Sequence, residues 1–543
     1  MNVLAPSERE RAVDGIGIAL LALLPLIWRY PFQNLPFIDD WCYAWTVEHL
    51  LTTGEFRILE YSSSPLATHA LWGALFAKVA GFSFAVLRMS TWVLSVSGLI
   101  AFYLLLRDLG VARRATLAGV AALAVYPIYA VLSLTYMTDV PFLALTLWAV
   151  WATNRGLTEQ RTGWLIAGAV LVALSAGIRS VAVVLPIATA MVLLLHTKGW
   201  GRSVWRIAIA LSPLVAVAVL QAMRGDITVF SADISNVTSS PPNRIKDLPY
   251  GVAILPEMLI SAVSSILGIV GIALLPITLS VLRRADAGKA VLFGVVAVAI
   301  TLALDQVLKL RMVYPLHFTQ TWSLGEVGAT EQGVPEDWFI EVPLWVTWGF
   351  IFLGSCSSAV LFRLPLRRLL RPDMALIAWF CAGYIVLSAL LWLTHDRYFL
   401  VLVPFAIAIA LTAQSMRRTW VAVATIGLFA AISVVGLRDH LLYNATLWQA
   451  VAELQAKGVP PADIDGGYMV NGWLQYAHPE QANRNAAGDI RIPWLNVVSD
   501  DEPRPYLIAD RPRDDRPTLQ MLPYDRVIGL SGAIYILGPV RSK

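Results

Sequence analysis

Long apolar runs constrain the fold of this chain more than any other feature of its sequence. The runs 14–28, 84–106 and 399–413 contain few charged residues, and about 20 apolar residues in a row span the hydrocarbon core of a bilayer. Only 14% of the 543 residues are charged and 57% are hydrophobic, whereas soluble domains carry about 25% charged residues. The sequence therefore predicts an all-α polytopic membrane protein that contacts the lipid bilayer, and its modest net charge of +4 predicts no nucleic-acid partner.

Polar breaks between the apolar runs predict about thirteen transmembrane helices. Alternate breaks are short and basic, as in LRRADAGK and FRLPLRRLLRPD, whereas the others are longer and mixed in charge. The positive-inside rule then predicts a cytoplasmic N-terminus, here in a bacterial inner membrane. The predicted spans begin near residues 14, 84, 115, 140, 163, 180, 205, 256, 290, 343, 374, 397 and 419.

The distribution of polar residues predicts two domains. Residues 1–437 form a transmembrane catalytic domain whose first outward loop is 31–83, and residues 438–543 form a small α/β domain on the outer, periplasmic side. In the second domain, LWQAVAELQAKG has helical spacing and ends at Gly458, a favoured residue for ending a helix. The segments RVIGLSG and AIYILGP predict a hairpin.

Two adjacent aspartates, Asp39 and Asp40, follow the first span at the start of DDWCYAWTVEHLLTTGEF. The spacing of apolar residues predicts an amphipathic interfacial helix that ends before Gly54. One aspartate can cap that helix by accepting backbone N–H bonds. A cap leaves the second carboxylate unexplained, and ionisable groups at a membrane site are candidates for function.

A third aspartate, Asp139, lies in SLTYMTDVPFLAL on the same predicted side as Asp39 and Asp40. Capping by Thr138 or Asp139 ahead of Pro141 is the structural alternative. Three aspartates that converge on one face indicate a catalytic site more strongly than any one of them alone.

Two arginines on that side are candidates for binding phosphate. Arg179 interrupts an apolar stretch, and Arg397 follows His395 near the start of a late span. A single arginine there can be only an interfacial anchor, but the guanidinium fork also binds phosphate oxygens with two parallel hydrogen bonds.

No cofactor is predicted. The three cysteines are scattered, and the sequence contains no HxxH or CxxC pattern. A divalent ion held by the three aspartates is chemically possible, but nothing in the sequence indicates one.

These motifs together resemble the GT-C membrane glycosyltransferases of the protein O-mannosyltransferase and aminoarabinose-transferase type. The family has an acidic pair after its first span, a Tyr-Ala, a helix ending in Thr-Gly, a Thr-Asp-Val-Pro and a late Arg-Tyr. Where the family has a Glu-Lys-Pro-Pro element that meets lipid phosphate, this chain has SSSPLAT, so Arg397 and Arg179 are the expected phosphate ligands. The matching residues are Asp39, Asp40, Tyr43, Ala44, Thr53, Gly54, Thr138 to Pro141, Arg397 and Tyr398.

The resemblance implies an inverting glycosyltransferase that moves a sugar from a polyprenyl-phosphate donor to a hydroxyl of a glycan, lipid or protein. It implies Asp39 as the general base, with Asp40 as the alternative, and Asp139 as the group that orients the sugar or the acceptor or tunes Asp39. Tyr43, Tyr398 and His395 are expected beside the substrate. The protein is expected to act as a monomer.

Two other classes of membrane protein remain open. A transporter or flippase would place charges near span centres and show inverted repeats, and no repeat is found in the sequence. A polymerase or ligase of lipid-linked glycans would place its key residues in a late outward loop such as 309–342, which contains Glu326, Glu331 and Glu336.

Overall fold

The structure is a computed structural model, and it is mostly helical with a small C-terminal sheet, as predicted. It describes residues 8–23, 33–37, 39–59, 62, 64–196, 200–223, 248–308, 344–390, 396–478, 504–525 and 531–540.

The helices in these ranges are named in chain order. They are α1 Glu8–Leu23, α2 Asp40–Thr53, α3 Ala67–Ala80, α4 Phe84–Asp108, α5 Arg113–Ala124, α6 Pro127–Leu132, α7 Asp139–Thr158, α8 Thr162–Ala176, α9 Val184–His196, α10 Trp200–Leu211, α11 Pro213–Met223, α12 Leu248–Val281, α13 Arg284–Leu308, α14 Leu344–Ser358, α15 Leu366–Leu369, α16 Pro372–Leu390, α17 Val403–Ala413, α18 Thr419–Ala456 and α19 Gly467–Asn471. Short 3-10 segments are Ser180–Val183, Leu361–Arg363, Asp396–Leu402 and Pro461–Asp463.

Every predicted span begins inside a helical segment or one residue before it. By length and composition, three helices in the described part of the chain can cross a membrane: Phe84–Asp108, Arg284–Ala303 and Thr419–Ala456. Seven further apolar helices are shorter. The number of about thirteen spans therefore stays a prediction.

Close helix packing depends on small residues at the crossing points. A Cβ on Gly98 of α4 would lie 2.9 Å from the Cα of Ala144 on α7. A Cβ on Gly271 of α12 would lie 1.9 Å from the carbonyl oxygen of Gly354 on α14. Small residues of this kind let helix backbones approach closely in membrane proteins.

Ion pairs between helix ends fall into two groups that match the two sides predicted from charge. Arg113–Asp14, Arg155–Asp108 and Arg363–Asp286 join segments that are all predicted to be cytoplasmic. Arg88–Asp40, Arg179–Asp139 and Arg397–Asp39 join segments that are all predicted to face outward.

The helix α18 joins the two predicted domains without a break. It has 38 residues, which corresponds to about 57 Å, whereas the hydrocarbon core of a bilayer is about 30 Å thick. The predicted boundary at 437 and 438 therefore falls inside one helix. Its end agrees with the prediction, because Gly458 lies just beyond it in the left-handed conformation, with φ of 84°.

A four-stranded sheet follows α18, with the strand order β1-β2-β4-β3. The strand β1 is parallel to β2, and the other neighbours are antiparallel. Of the predicted hairpin, AIYIL lies in β4, which pairs with β3, whereas residues 526–530 of RVIGLSG lie outside the described residues. The strands are β1 Ile464–Asp465, β2 Tyr506–Ala509, β3 Thr518–Asp525 and β4 Ser531–Leu537.

The described residues after α18, which we call the C-terminal unit, contact α2 through one turn of π-helix, Gly472–Tyr476. The ring of Tyr476 meets the ring of Trp41 edge-on, with a centroid distance of 6.0 Å. Nε2 of His478 lies 3.4 Å from a carboxylate oxygen of Glu48. The helix that follows Asp39 is therefore held between the membrane helices and the C-terminal unit.

Candidate active site

Asp39 stands at the N-cap position of α2, but its side chain makes no capping hydrogen bond. Its Oδ2 instead accepts a hydrogen bond from Nη2 of Arg397 at 2.7 Å. The α2 helix itself agrees with the prediction, running from Asp40 to Thr53 with Gly54 in the left-handed conformation. Capping therefore does not account for the Asp39 carboxylate.

Asp40 points elsewhere and is fully buried. It accepts a backbone hydrogen bond from Phe37 and pairs with Arg88 of α4 at 3.2 Å. The Arg88 guanidinium also donates to the Leu35 carbonyl and lies 3.6 Å from the centroid of the Phe37 ring. Burial raises the pKa of Asp40 to about 6, against the opposing effect of the Arg88 charge. This pair fastens the first loop to α4.

Asp139, the first residue of α7, lies between the two predicted arginines. Its Oδ1 accepts a hydrogen bond from Nη1 of Arg179 at 2.6 Å, and its Oδ2 lies 3.9 Å from Nε of Arg397. Thr138, at the N-cap position, makes no side-chain capping bond. The four side chains thus form a chain of alternating charge, from Asp39 through Arg397 and Asp139 to Arg179.

Aromatic rings enclose this chain of charges. The Arg179 guanidinium lies 4.5 Å from the centroid of the Tyr398 ring, and the Arg397 guanidinium lies 5.8 Å from it. The hydroxyl of Tyr384 fixes the same segment by donating to the Tyr398 carbonyl at 2.8 Å. Tyr43 lies one turn after Asp39 on α2 and is 9% exposed. Aromatic faces of this kind stabilise guanidinium groups.

The charges of the four side chains balance in a nearly dry environment. The side chains of Asp39 and Asp139 are 12% and 2% exposed, and those of Arg397 and Arg179 are 11% and 14% exposed. Guanidinium forks bind phosphate oxygens as readily as carboxylates. A phosphate that engages Arg397 would compete with Asp39 and leave this carboxylate able to accept a proton.

The structure brings together Asp39, Asp139, Arg179, Arg397 and Tyr398, with Tyr43 beside them. It separates Asp40, which belongs to the Arg88 pair. The predicted His395 and the loop 309–342 lie outside the described residues. Within the described ranges, no three His, Cys, Asp or Glu side chains are placed to hold a metal ion.

Two buried residues near this site, Arg88 and His69, were not among the candidates predicted from the sequence. Arg88 is 0% exposed although it lies inside an apolar run, and a charge inside a predicted span is a signal that could have identified it. His69 on α3 is 1% exposed, and nothing in its spacing distinguishes it. The fold and the site define a polytopic helical membrane protein with a buried carboxylate–guanidinium cluster at one end of its helices.

One family model is similar to part of the chain. Residues 63–222 match the sequence model of a family described as dolichyl-phosphate-mannose-protein mannosyltransferase. The match includes Asp139 and Arg179 but neither Asp39 nor Arg397. It confirms the resemblance to GT-C membrane glycosyltransferases that the motifs indicated. No curated protein sequence matches the chain.

Several solved structures are similar to the chain at low sequence identity. ArnT from Cupriavidus metallidurans bound to undecaprenyl phosphate is 14% identical, with a TM-score of 0.43 over 90% of this chain and 73% of that one. The Archaeoglobus fulgidus oligosaccharyltransferase tethered with an acceptor peptide is 12% identical, with a TM-score of 0.44 over 93% and 69%. The S. cerevisiae Pmt1-Pmt2 complex bound to the sugar donor is 15% identical, with a TM-score of 0.32 over 42% and 35%. Because these TM-scores are low, the likeness to the family rests on the match over residues 63–222.

Proposed function

We propose that the protein transfers one sugar, with inversion, from a polyprenyl-phosphate donor to an acceptor hydroxyl at the outer face of a bacterial inner membrane. The observation that carries this proposal is the contact of Arg397 with both Asp39 and Asp139. One cation shared by two carboxylates can exchange a carboxylate partner for a lipid phosphate. The acceptor is a glycan, a lipid or a protein.

In the proposed reaction, the acceptor oxygen forms a bond to the anomeric carbon while the bond from that carbon to the phosphate oxygen breaks. The bonding electrons leave with the polyprenyl phosphate, whose charge Arg397 and Arg179 stabilise. Asp39 takes the proton of the acceptor hydroxyl. A positioned base of this kind contributes about two to four powers of ten in rate.

The surroundings of the two adjacent aspartates favour Asp39 as the base. Asp39 is 8% exposed and bonds a cation that the substrate phosphate can engage. Asp40 is fully buried and accepts bonds from Arg88 and from the backbone of Phe37. Transfer of a proton to Asp40 would also break the pair that fastens the loop.

Asp139 has a positioning part in this mechanism. It holds Arg179 through one oxygen and faces Arg397 with the other. Its negative charge therefore lets the two guanidinium groups lie close together, because it offsets their mutual repulsion. Positioning of two substrates in line accounts for much of the remaining rate enhancement.

The test uses purified protein in lipid nanodiscs with undecaprenyl phosphate that carries radiolabelled mannose, glucose, galactose or aminoarabinose. Glycan, lipid and protein fractions of a bacterial envelope serve as acceptors. We expect transfer by the wild type and a loss of about a hundredfold or more in Asp39→Asn, with an unchanged melting temperature.

The matched control is Asp108→Asn, which changes an aspartate that pairs with Arg155 in a segment predicted to face the cytoplasm. This variant should keep wild-type transfer. Full transfer by Asp39→Asn would remove the proposed base, and a wild type that transfers none of the sugars would overturn the proposed function.

A further inference from the structure

His69 of α3 lies beside the candidate site and has one ring nitrogen with a defined bond. Nε2 lies 3.1 Å from the backbone carbonyl oxygen of Tyr136. A carbonyl oxygen can only accept a hydrogen bond, so Nε2 carries the hydrogen. Burial lowers the pKa of His69 to about 4, so the ring is neutral near pH 7. Its Nδ1 is therefore a bare acceptor.

This acceptor is buried and makes no hydrogen bond with any described residue. A buried polar atom left without a partner costs about 1–3 kcal/mol, so most such atoms in proteins are bonded to protein or water. An unmatched acceptor beside a functional site is able to accept a hydrogen bond from a ligand.

The ring of His69 is held by its stacking on Tyr136 and by the bond of its Nε2 to the Tyr136 carbonyl. It stacks on the Tyr136 ring with a centroid distance of 4.1 Å, and the Tyr136 hydroxyl donates to the His69 carbonyl at 2.9 Å. Gly73, one turn along α3, makes room for that hydroxyl, because a Cβ there would lie 2.1 Å from it. The fold therefore holds His69 against Tyr136, with Nε2 bonded and Nδ1 on the opposite edge of the ring.

The position of His69 connects it to the charged site. Its ring lies 6.2 Å from the ring of Tyr43, measured between centroids, and the Asp139 charge acts on it. Two more buried oxygens, Oγ1 of Thr138 and Oδ2 of Asp139, follow Tyr136 closely in the chain and make no hydrogen bond with the described residues, although Oδ2 lies 3.9 Å from Nε of Arg397. Hydrogen-bonding capacity is therefore left over in the segment that His69 contacts, and a carbohydrate provides many O–H groups that can use it.

We propose that Nδ1 of His69 accepts a hydrogen bond from a hydroxyl group of the bound carbohydrate, which makes His69 a residue that determines substrate specificity. This inference rests on the proposed function and adds a residue to it. The hydroxyl belongs either to the donor sugar or to the acceptor, and the two sources differ in which substrate loses affinity when His69 is changed.

Two variants separate the nitrogens of the ring. His69→Gln keeps an N–H near the position of Nε2, and so the bond to Tyr136, but removes the acceptor. His69→Asn places an amide oxygen near the position of Nδ1 but loses the bond to Tyr136. The measurements are the KM for the undecaprenyl-phosphate sugar, the KM for the envelope acceptor, the inhibition constant of undecaprenyl phosphate without a sugar, and the melting temperature.

We expect His69→Gln to raise one of the two KM values about five- to tenfold, as for the loss of one hydrogen bond of about 1 kcal/mol. Its inhibition by bare undecaprenyl phosphate should stay at the wild-type value, and its melting temperature should fall less than that of His69→Asn, because the glutamine keeps the bond to Tyr136. His69→Asn should lower the melting temperature and keep KM within about twofold of the wild type. A raised donor KM assigns the hydroxyl to the donor sugar, and a raised acceptor KM assigns it to the acceptor.

An active wild type whose KM values do not change in His69→Gln would overturn this assignment alone. Equal increases in KM and in the inhibition constant of the bare lipid would also overturn it, because that lipid has no sugar hydroxyl. A wild type that transfers no sugar would overturn the proposed function and this inference together.

Discussion

One peptide bond separates Asp39 from Asp40, yet the two carboxylates have different surroundings. A helix turns by about 100° per residue, so neighbouring side chains at its start point in different directions. Asp39 faces Arg397 of the late span, and Asp40 faces Arg88 of α4. The acidic pair therefore combines one residue of the candidate site with one residue that holds the loop in place.

The Asp40–Arg88 pair leads to a stability prediction, because both side chains are 0% exposed. Asp40→Asn and Arg88→Met each leave one buried group without its partner, and each should lower the free energy of unfolding by about 3–5 kcal/mol. The double variant should lose less than the sum of the two single losses. Denaturant unfolding in detergent micelles measures all three.

The matched control for that cycle is Arg161→Met. Arg161 also pairs with a carboxylate, that of Glu159, but its side chain is 74% exposed. Exposed pairs contribute about 0–1 kcal/mol, so this variant should remain close to the wild type. Additive losses in the Asp40 and Arg88 cycle would mean that the two residues do not act as a pair.

Residue type and chain position predicted part of the site. Asp39, Asp139, Arg179 and Arg397 stood out because charged residues are rare at the ends of apolar runs. Their pairing did not follow from the sequence, because Arg397 is 358 positions from Asp39. His69 was missed for a different reason: the acceptor character of Nδ1 depends on a single contact with a carbonyl oxygen.

At the scale of elements, the contact between the π turn and α2 depends on one glycine. A Cβ on Gly472 would lie 2.4 Å from a ring carbon of Trp41. Trp41 is 0% exposed, so its ring has no free space into which to move. Since Trp41 is two residues from Asp39, the C-terminal unit helps to set the direction of the candidate base.

We therefore expect Gly472→Ala to lower the free energy of unfolding by about 1–3 kcal/mol, as overpacked sites do, and to lower the sugar transfer rate. Trp41→Phe shortens the ring system at the point of contact. It should restore part of both losses when combined with Gly472→Ala, and the four proteins together form a double-mutant cycle.

Gly427→Ala provides the control for this cycle, because nothing lies within 4 Å of a Cβ at that position. A helix interior favours alanine over glycine by about 1 kcal/mol, so this variant should be at least as stable as the wild type. If Trp41→Phe worsens the effect of Gly472→Ala, the contact between the turn and α2 does not position the loop.

Element boundaries were less predictable than element types. The predicted domain boundary at residue 438 relied on a change from apolar to polar composition, but α18 passes through it and continues beyond Gly436. The partner of AIYILGP was not predicted, because β3 was not recognised as a strand in the sequence. Strand register depends on long-range pairing with β2 and β3, which local composition does not encode.

At the scale of the whole molecule, two independent features divide the helix ends into the same two groups. One is the charge of the breaks in the sequence, and the other is the set of ion pairs between distant segments. A third feature is the contact of α2 with the π turn, which places the first loop and the C-terminal unit on the same side of the membrane. An odd number of spans with a cytoplasmic N-terminus accounts for all three observations.

Cysteine labelling of the full chain tests this arrangement. Glu55→Cys in the first loop and Asp514→Cys in the C-terminal unit are at exposed positions, and so is Arg161→Cys in a break predicted to be cytoplasmic. A membrane-impermeant maleimide should label the first two variants in spheroplasts and the third only after lysis. The wild type controls for the native cysteines, of which Cys42 is buried.

Each alternative membrane topology predicts a different labelling pattern at the three positions. The positions lie on both predicted sides of the membrane, and they test whether the number of spans between them is odd or even. If only Arg161→Cys is labelled in spheroplasts, the predicted orientation in the membrane is wrong, but the division of the segments between the two sides is still correct. Different labelling of Glu55→Cys and Asp514→Cys would mean that an odd number of spans lies between the first loop and the C-terminal unit. That result would contradict the contact between α2 and the C-terminal unit. The candidate base and the unit that positions it must share one compartment for the proposed transfer to take place there.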